Sequence, residues 1–509
     1  MSGATDTKNN ARLYGNWSRP KSAGLYGLGS VGTRLLFAGL ILLIITVMFF
    51  GLLAGLAVGL VIVVCMALVL RKDKHGRSLL DSLSSWRASR KSRKTGSWLY
   101  RAGPLGKTPW GTNQLPGVAA QLRMSEHQDA YGRTFALVHS PSQKTFTAVI
   151  ACEPDGASLV DPEQVDIWVA DWGHWLARLG DEPGLKLATA TIETAPDTGH
   201  RLRHEVEMAM ADDAPEFAKS VLTEVVDRYP AGSNTITAWV TLTFSAASPG
   251  TGKLRTPEEM GRDLGSRLPG MTADLGATGA GATRPVAGEE VCEMIRLAYN
   301  PSAALAMDEA RAEAAADGDD EPLLRLSDVG PSASEARWDT YRHDEATSVS
   351  WTMSVAPRGN VPSNILAALL APQADIARKR VTMIYRPVDA ARAAAIVESD
   401  LRAAEFVETS AAKASARSVA ATRRAQATAS EEAAGAGLIN FGMIVTATVL
   451  DDAMLPIARA TVDTLGARAR LLLRPSFGAM DAAFVAGLPL GVALGDYLSI
   501  SSDFKEKLG

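Results

Sequence analysis

At 509 residues with 47% hydrophobic content, the chain is long enough for two or three folded domains. Its net charge of −4 is unevenly spread, because a basic stretch near residues 71–94 is followed by a mildly acidic remainder. The three cysteines, Cys65, Cys152 and Cys292, form no C-x-x-C pair, which excludes a zinc ribbon, a dithiol redox motif and a disulfide framework and fits a reducing cytoplasmic compartment.

Residues 1–30 read as an irregular cytoplasmic arm in which Tyr14, Trp17 and Tyr26 alternate with bases, as suits a membrane–water interface. The arm ends in a literal G-x-G-x-x-G at Gly27, Gly29 and Gly32. A dinucleotide site needs a strand before that motif and an acid about twenty residues after it. Here an apolar run follows and the next acid is Asp73, so flexible backbone at the membrane entry is the better reading.

Residues 35–70 hold no charged or amide side chain. In hydrocarbon such a run must satisfy its own backbone groups, so it is helical. One straight helix would measure roughly 54 Å against a bilayer core of about 30 Å. The run is therefore expected to form a transmembrane hairpin over residues 31–70, with spans of about 31–49 and 53–70 and a turn near Gly51, Gly55 and Gly59. Lys8, Arg12, Arg19, Lys21 and Arg34 precede it, and Arg71, Lys72, Lys74 and Arg77 follow. With both flanks basic, both termini and the soluble domains are expected on the cytoplasmic side of the inner membrane, in a multi-pass arrangement. A cleaved signal peptide is the alternative, but the run is too long, starts too deep and ends without a small-residue cleavage pattern.

Residues 71–117 read as a basic juxtamembrane helix and a Gly/Pro-rich linker. The cluster RASRKSRK at 87–94 suits anionic lipid headgroups, at about 1 kcal/mol per base near the surface. Contact with nucleic acid is its alternative reading, without any recognised nucleic-acid fold. A first α+β unit spans 118–305, with regular structure beginning near Tyr131. Its strands fall at 134–139, 145–152, 185–193 and 235–245, and its helices at 165–179, 201–228, 257–275 and 288–297. An acidic linker, 306–330, follows; residues 306–321 carry seven acids against one arginine, with many alanines, and read as a solvated helix or loop between domains. The second unit, 331–498, has strands at 348–355, 380–386, 438–449 and 468–473 and helices at 364–370 and 455–465. It carries a long Ala-rich helical insertion at 388–434 and closes on 479–486 and a Gly-Leu-Pro-Leu-Gly run before the tail, 499–509. Residues 236–244 plus 260–268 echo 441–449 plus 455–465. The fold class expected is α+β: an N-terminal two-helix transmembrane hairpin followed by two ferredoxin-like α+β units.

Chemistry is sparse. A phosphate loop fails at Gly252-Lys253, since Leu254 follows and Ala247 stands where the first glycine belongs. His200 and His204 have i, i+4 spacing and Glu205 follows, but no third metal ligand is evident. Asp171 and His174 share a helix with Trp168, Trp172 and Trp175, where an acid–base pair competes with a tryptophan-lined packing face. Trp338, Asp339, Tyr341, His343 and Asp344 form a polar cluster without a partnered nucleophile, and no G-x-S-x-G elbow occurs. No catalytic residue, cofactor or metal is expected.

Several motifs together carry a resemblance. Tyr14-Gly15-Asn16-Trp17, Ser22 to Gly29, the apolar run and Gln114-Leu115-Pro116-Gly117 resemble an actinobacterial integral membrane protein family of conjugative, type IV secretion-like gene clusters. Trp168 to Gly173, including Asp171 and Trp172, then Thr194 to Asp197 and Arg337-Trp338-Asp339 add to it. Ala356 to Val361, including Arg358 and Asn360, then Lys379 to Pro387 and Gly435-Ala436-Gly437 complete the set. The C-terminal half, ending at Ala483-Phe484-Val485-Ala486-Gly487-Leu488-Pro489-Leu490-Gly491, resembles the N-terminal domain of VirB/TraC-type conjugation ATPases, in which such a segment precedes the nucleotide-binding domain. Only eighteen residues follow Gly491 here. The hairpin resembles the small two-span subunit that recruits such motors.

The resemblance implies a non-catalytic inner-membrane scaffold that anchors and docks a separate motor ATPase. Its partners would be lipid, other secretion subunits and further copies of itself. Trp168, Asp171, Trp172, Trp338, Asp339, Arg358, Asn360, Phe484 and Pro489 are the candidate docking or packing residues. A type VII secretion core subunit and a membrane-anchored enzyme are the alternatives.

Overall fold

The structure is a computed structural model describing residues 12–15, 17, 29–70, 79–106, 112–154, 156, 159–211, 213–228, 234–318, 323–357, 359–410 and 415–494. Residues Gly29–Leu70 are helical except at Gly51, whose φ of 84° and ψ of 175° belong to no helix. That conformation is close to glycine-only. The stretch Leu36–Val64, of mean hydropathy 2.8, is long and apolar enough to cross a membrane. A side chain at Gly55 would fall 2.3 Å from Val47 Cγ2, one at Gly59 3.2 Å from Leu43, and one at Gly39 3.1 Å from Ile62. The stretches on either side of Gly51 therefore lie against each other.

The described residues hold fifteen strands, in chain order β1 (Leu13–Tyr14), before the apolar helix, and after it β2 (Leu99–Arg101), β3 (Arg123–Gln128), β4 (Thr134–Ser140), β5 (Thr145–Glu153), β6 (Leu185–Pro196), β7 (Asn234–Ser245) and β8 (Ala282–Pro285), then β9 (Ala333–Ala336), β10 (Tyr341–His343), β11 (Ala346–Val355), β12 (Val361–Pro362), β13 (Arg378–Pro387), β14 (Ile439–Val449) and β15 (Leu472–Pro475). β1 and β12 pair alone. The other thirteen form one antiparallel sheet in the order 2-9-10-11-14-13-6-7-5-4-3, with β15 beside β11 and β8 beside β5.

That order contains a repeat. The first half runs 3-4-5-7-6 with β8 on β5, and the second runs 9-10-11-14-13 with β15 on β11. Helices recur at matching places. His200–Ala209 and Glu216–Arg228 separate β6 from β7, and Ala390–Thr409 and Ala416–Ala433 separate β13 from β14. The halves meet edge to edge where β6 pairs antiparallel with β13, and Thr191 faces Thr382 at the middle of that seam.

The Thr-x-Thr pattern of the long strands explains their two faces, because successive side chains point to opposite sides of the sheet. In the first half, Phe146, Ile150, Leu242 and Phe244 pack under helices Pro162–Arg178 and Pro257–Leu275, which supply Trp175, Met260, Leu264 and Leu268. In the second, Trp351, Val381 and Val445 join Val462 and Leu465 of helix Leu455–Arg468. The reverse face carries buried hydroxyls paired across strands: Thr147 with Thr243 at 3.0 Å, Thr189 with Thr241 at 2.6 Å, Thr191 with Thr382 at 3.2 Å and Ser350 with Thr446 at 2.8 Å. Each pair satisfies groups that would otherwise be buried without a partner.

The last described residues lie over this hydroxyl face as a strap. Helix Met480–Ala486 leads into it. The Thr382 hydroxyl donates to the Gly487 carbonyl at 2.7 Å, and Gln143 Nε2 donates to the Ala493 carbonyl at 2.6 Å. The strap thus starts on the second half and ends on the first. Gly491 has φ of 67°, and a side chain there would fall 2.2 Å from the hydroxyls of both Thr147 and Thr243. Gly491→Ala is expected to cost roughly 2–5 kcal/mol, from left-handed strain and overpacking together. A lowered urea midpoint with an unchanged slope would register it.

Several expectations need correction. Helix Leu79–Thr95 falls where the basic juxtamembrane helix was expected, but strands begin well before Tyr131: the Gly/Pro-rich linker contributes the edge strand β2, and β3 starts at Arg123. Neither strand alternates apolar and polar residues, so both depend on the neighbours they pair with. The single helix expected over 201–228 is two, with Pro215 just before the second, since proline lacks the N–H a continuous helix would use. Of the solvated helix or loop expected in the acidic linker, the helix is what forms, Ala304–Asp317, and it is tied back to the body where Thr198 donates to Asp308 at 2.7 Å. The N-terminal arm is not wholly irregular, because Leu13–Tyr14 pairs with β12.

Candidate functional site

Two features concentrate chemistry at the seam. Glu193 on β6 is buried between two arginines of β13. Arg378 Nη1 donates to Glu193 Oε1 at 2.6 Å and Arg380 Nε donates to Oε2 at 2.6 Å. Burial alone would raise the Glu193 pKa, but the two guanidiniums outweigh it and hold the carboxyl below its usual range. Next along β13, buried Lys379 donates to the Ala371 carbonyl, and burial pulls its pKa down to about 8.

Beside Arg380 lies a closed aromatic cluster. The Phe484 ring sits 5.1 Å from Tyr299, 5.3 Å from Tyr341 and 4.7 Å from His343, with the Arg380 guanidinium 5.7 Å from its centroid. His343 Nδ1 is 2.6 Å from the Tyr299 carbonyl. A carbonyl only accepts, so Nδ1 carries the proton and Nε2 accepts from Ser348 Oγ at 2.8 Å. Burial lowers the His343 pKa to about 4, which keeps the ring neutral. The cluster is sealed rather than cleft-like: His343 and Tyr299 are fully buried. Its chemistry is that of a rigid joint holding the strap to the sheet.

The N-terminal arm makes the third feature. The Tyr14 hydroxyl donates to Asp166 at 2.6 Å, Trp17 meets Phe441 edge-on at 5.6 Å, and Gly15 packs against Asn360. Residues preceding the apolar helix are thereby joined to helix Pro162–Arg178, to β12 and to β14.

The residues singled out from sequence do not converge. Trp168 covers Gly279 in the turn Gly276–Ala280, and Trp172 stacks on Trp175 at 4.8 Å with its edge toward Tyr385. Asp171 and His174 share that helix, but no hydrogen bond or ion pair joins them, so the acid–base reading lacks its geometry. Trp338 stacks on Phe477 at 6.1 Å and covers Gly478, while Asp339 accepts from Arg459 Nη2 at 2.8 Å. His343 is turned away from Asp339 into the aromatic cluster, so the 338–344 group is split between surface and core. The Asn360 carbonyl accepts from Arg470 Nη1 at 3.3 Å. Phe484 and Pro489 are both buried in the strap. Arg71, Lys72, Lys74, Arg77 and Arg358, with the Arg34 side chain, lie outside the described residues. His200 and His204 stack at 6.2 Å, and among the described residues no three His, Cys, Asp or Glu gather as metal ligands.

Sequence reasoning passed over Glu193, Arg378 and Lys379. The signal available was charge inside strand patterns, an acid in LKLATATIETAP and three bases opening RKRVTMIYRP. Opposite charges in two strands of a repeat mark a candidate pairing.

Residues 21–81 match a family described as a domain of unknown function (DUF8461). The match takes in the apolar helix and its flanks. A search of curated proteins finds no match to the chain.

Proposed function

We propose that the chain is an inner-membrane scaffold of a conjugative, type IV secretion-like apparatus, anchored by a hairpin and docking a separately encoded motor ATPase. One observation supports the anchoring. Tyr14 and Trp17, before the apolar run, contact Asp166 and Phe441 of the sheet-bearing body that follows it, which favours a run that leaves and returns on the same face of the bilayer. A single straight crossing would strand the arm on the far side. The break at Gly51 and the approach of Gly39, Gly55 and Gly59 to Ile62, Val47 and Leu43 support two crossings. Small residues at a helix–helix interface allow that closeness in lipid.

The two halves are read as ferredoxin-like. What supports that reading is the order 8-5-7-6 or 15-11-14-13, reached in each half by a strand–helix–strand–strand–helix–strand series once the helix pair inserted between the middle two strands is set aside. Docking of a motor rests on the resemblance of the second half, through Ala483 to Gly491, to the N-terminal domain of VirB/TraC-type ATPases.

Topology and docking are tested separately. A cysteine at Leu52 is expected to react with a membrane-impermeant maleimide in intact cells, and one at Ser97 only after permeabilisation. Reaction at Ser97 in intact cells would refute the topology. Full-length protein in detergent is expected to co-elute with the ATPase encoded beside it, and elution as separate species would refute docking.

A further inference from the structure

Helix Leu79–Thr95 begins nine residues after the apolar helix ends at Leu70. At about 3.3–3.6 Å per residue, its start lies within roughly 30 Å of that end. Its two faces differ sharply. Ser85, Ser89 and Ser92, at helical spacing, are the half-buried positions, and a side chain at Gly478 would come within 3.4 Å of the Ser85 carbonyl. Ser92 and Ser97 hydroxyls pair at 2.9 Å, and Arg93 lies near enough to Glu335 to lower its pKa, after the stronger pull of Arg337. This face rests on the folded body.

The opposite face holds Arg87, Arg90, Lys91 and Lys94, all exposed, and among the described residues no acid pairs with any of them. They stand at i, i+3 and i, i+4 spacing, so each repels its neighbours, and like charges so placed weaken a helix unless a counter-charge lies close. Trp86, 46% exposed, stands beside them with the Arg90 guanidinium 4.5 Å above its ring. An exposed tryptophan next to bases is the composition of the membrane–water interface.

We infer that helix Leu79–Thr95 is a headgroup-binding surface for anionic phospholipid, lying along the cytoplasmic leaflet through Arg87, Arg90, Lys91, Lys94 and Trp86 while its serine face clamps the body. The inference rests on the membrane anchor proposed above. A lipid surface, rather than nucleic acid, fits because the four charges lie in one plane on a single helix tied to the end of an apolar segment. Each base near an anionic leaflet adds to the attraction, which fades within a screening length. The body would then be held at a fixed tilt to the bilayer, pinned at the hairpin and again along this helix.

The test uses the full chain, with Cys65→Ser and a fluorophore on Ala88→Cys, reconstituted into vesicles whose lipids carry a headgroup-level quencher. Vesicles containing phosphatidylglycerol are expected to quench roughly threefold more than pure phosphatidylcholine, and about 1 M salt should abolish the difference. The variant R87Q/R90Q/K91Q/K94Q, whose glutamines keep helix propensity, should lose it too while retaining the thermal transition of the parent. Equal quenching in both lipids, in protein that floats with the vesicles and stays with them through an alkaline carbonate wash, would overturn the headgroup surface and leave the anchor standing. Binding of duplex DNA that the fourfold variant loses, with no dependence on lipid, would overturn it in favour of a nucleic-acid contact.

Discussion

Glu193→Ala is expected to destabilise the folded body by about 3–5 kcal/mol, the range for removing one partner of a buried ion pair. The carboxylate is the counter-charge that β6 offers to Arg378 and Arg380, and its loss leaves two guanidiniums of β13 buried without it. Removing all three charges together, as E193L/R378M/R380M, should be far milder, because apolar side chains of similar volume replace buried ion pairs at little cost. Denaturant unfolding of the three proteins distinguishes an uncompensated charge from a mere loss of packing; equal losses would contradict the account. Acid should weaken the same joint. Glu193 is held below its unfolded pKa, so its contribution is complete above about pH 4.3 and is lost as pH falls further. His343, pushed down to about 4 from an unfolded value near 6.5, contributes fully above that value and less as pH drops toward 4. Urea midpoints should therefore decline between about pH 6.5 and 4 through His343 and fall again below that through Glu193. His343→Gln should reduce the first decline, to which His127 and His139, also lowered by burial, add a share, and leave the second unchanged.

Phe484→Ala should cost about 3–5 kcal/mol and loosen the strap. The ring is fully buried among Tyr299 of the first half and Tyr341, His343 and Arg380 of the second, so its loss leaves a cavity between the two halves. Limited proteolysis should then cleave within residues 480–494, which the parent protects. Phe406→Ala is the matched control: that ring is 71% exposed on the second helical insertion, and its loss should change stability by less than about 0.5 kcal/mol. If both substitutions gave the same small effect, the strap would not be holding the sheet's hydroxyl face.

The long strands β5, β6, β7 and β14 were legible because each alternates Thr with apolar residues, and β13 because of its β-prone run VTMIY, so local pattern and buried position agree. The repeat was legible for the same reason: residues 236–244 and 441–449 fall in β7 and β14, which hold equivalent places. What escaped were β2, β3 and β9, short strands with Arg, Ser and Glu where a pattern would need apolar residues. They exist because a neighbour offers an open edge, which no local window contains. The strap escaped similarly. Leu-Pro-Leu-Gly reads as a turn, and only the facing Thr147 and Thr243 explain why Gly491 must lack a side chain. The tryptophan clusters were legible as packing but not as locations, since Trp168 and Trp338 cover glycines distant in sequence.

The seam also decides which edges can recognise each other. Around Thr191 and Thr382 it is almost two-fold, but Glu193 faces Arg380 on one side of that centre, whereas Thr189 faces Ile384 on the other. If the first half met another first half in the same register, Glu193 would face Thr189 and sit buried without a cation. Two second halves would set Arg380 against Ile384. Either mismatch strands a charge in a dry interior, so the seam accepts a first half only against a second half and rejects two like halves.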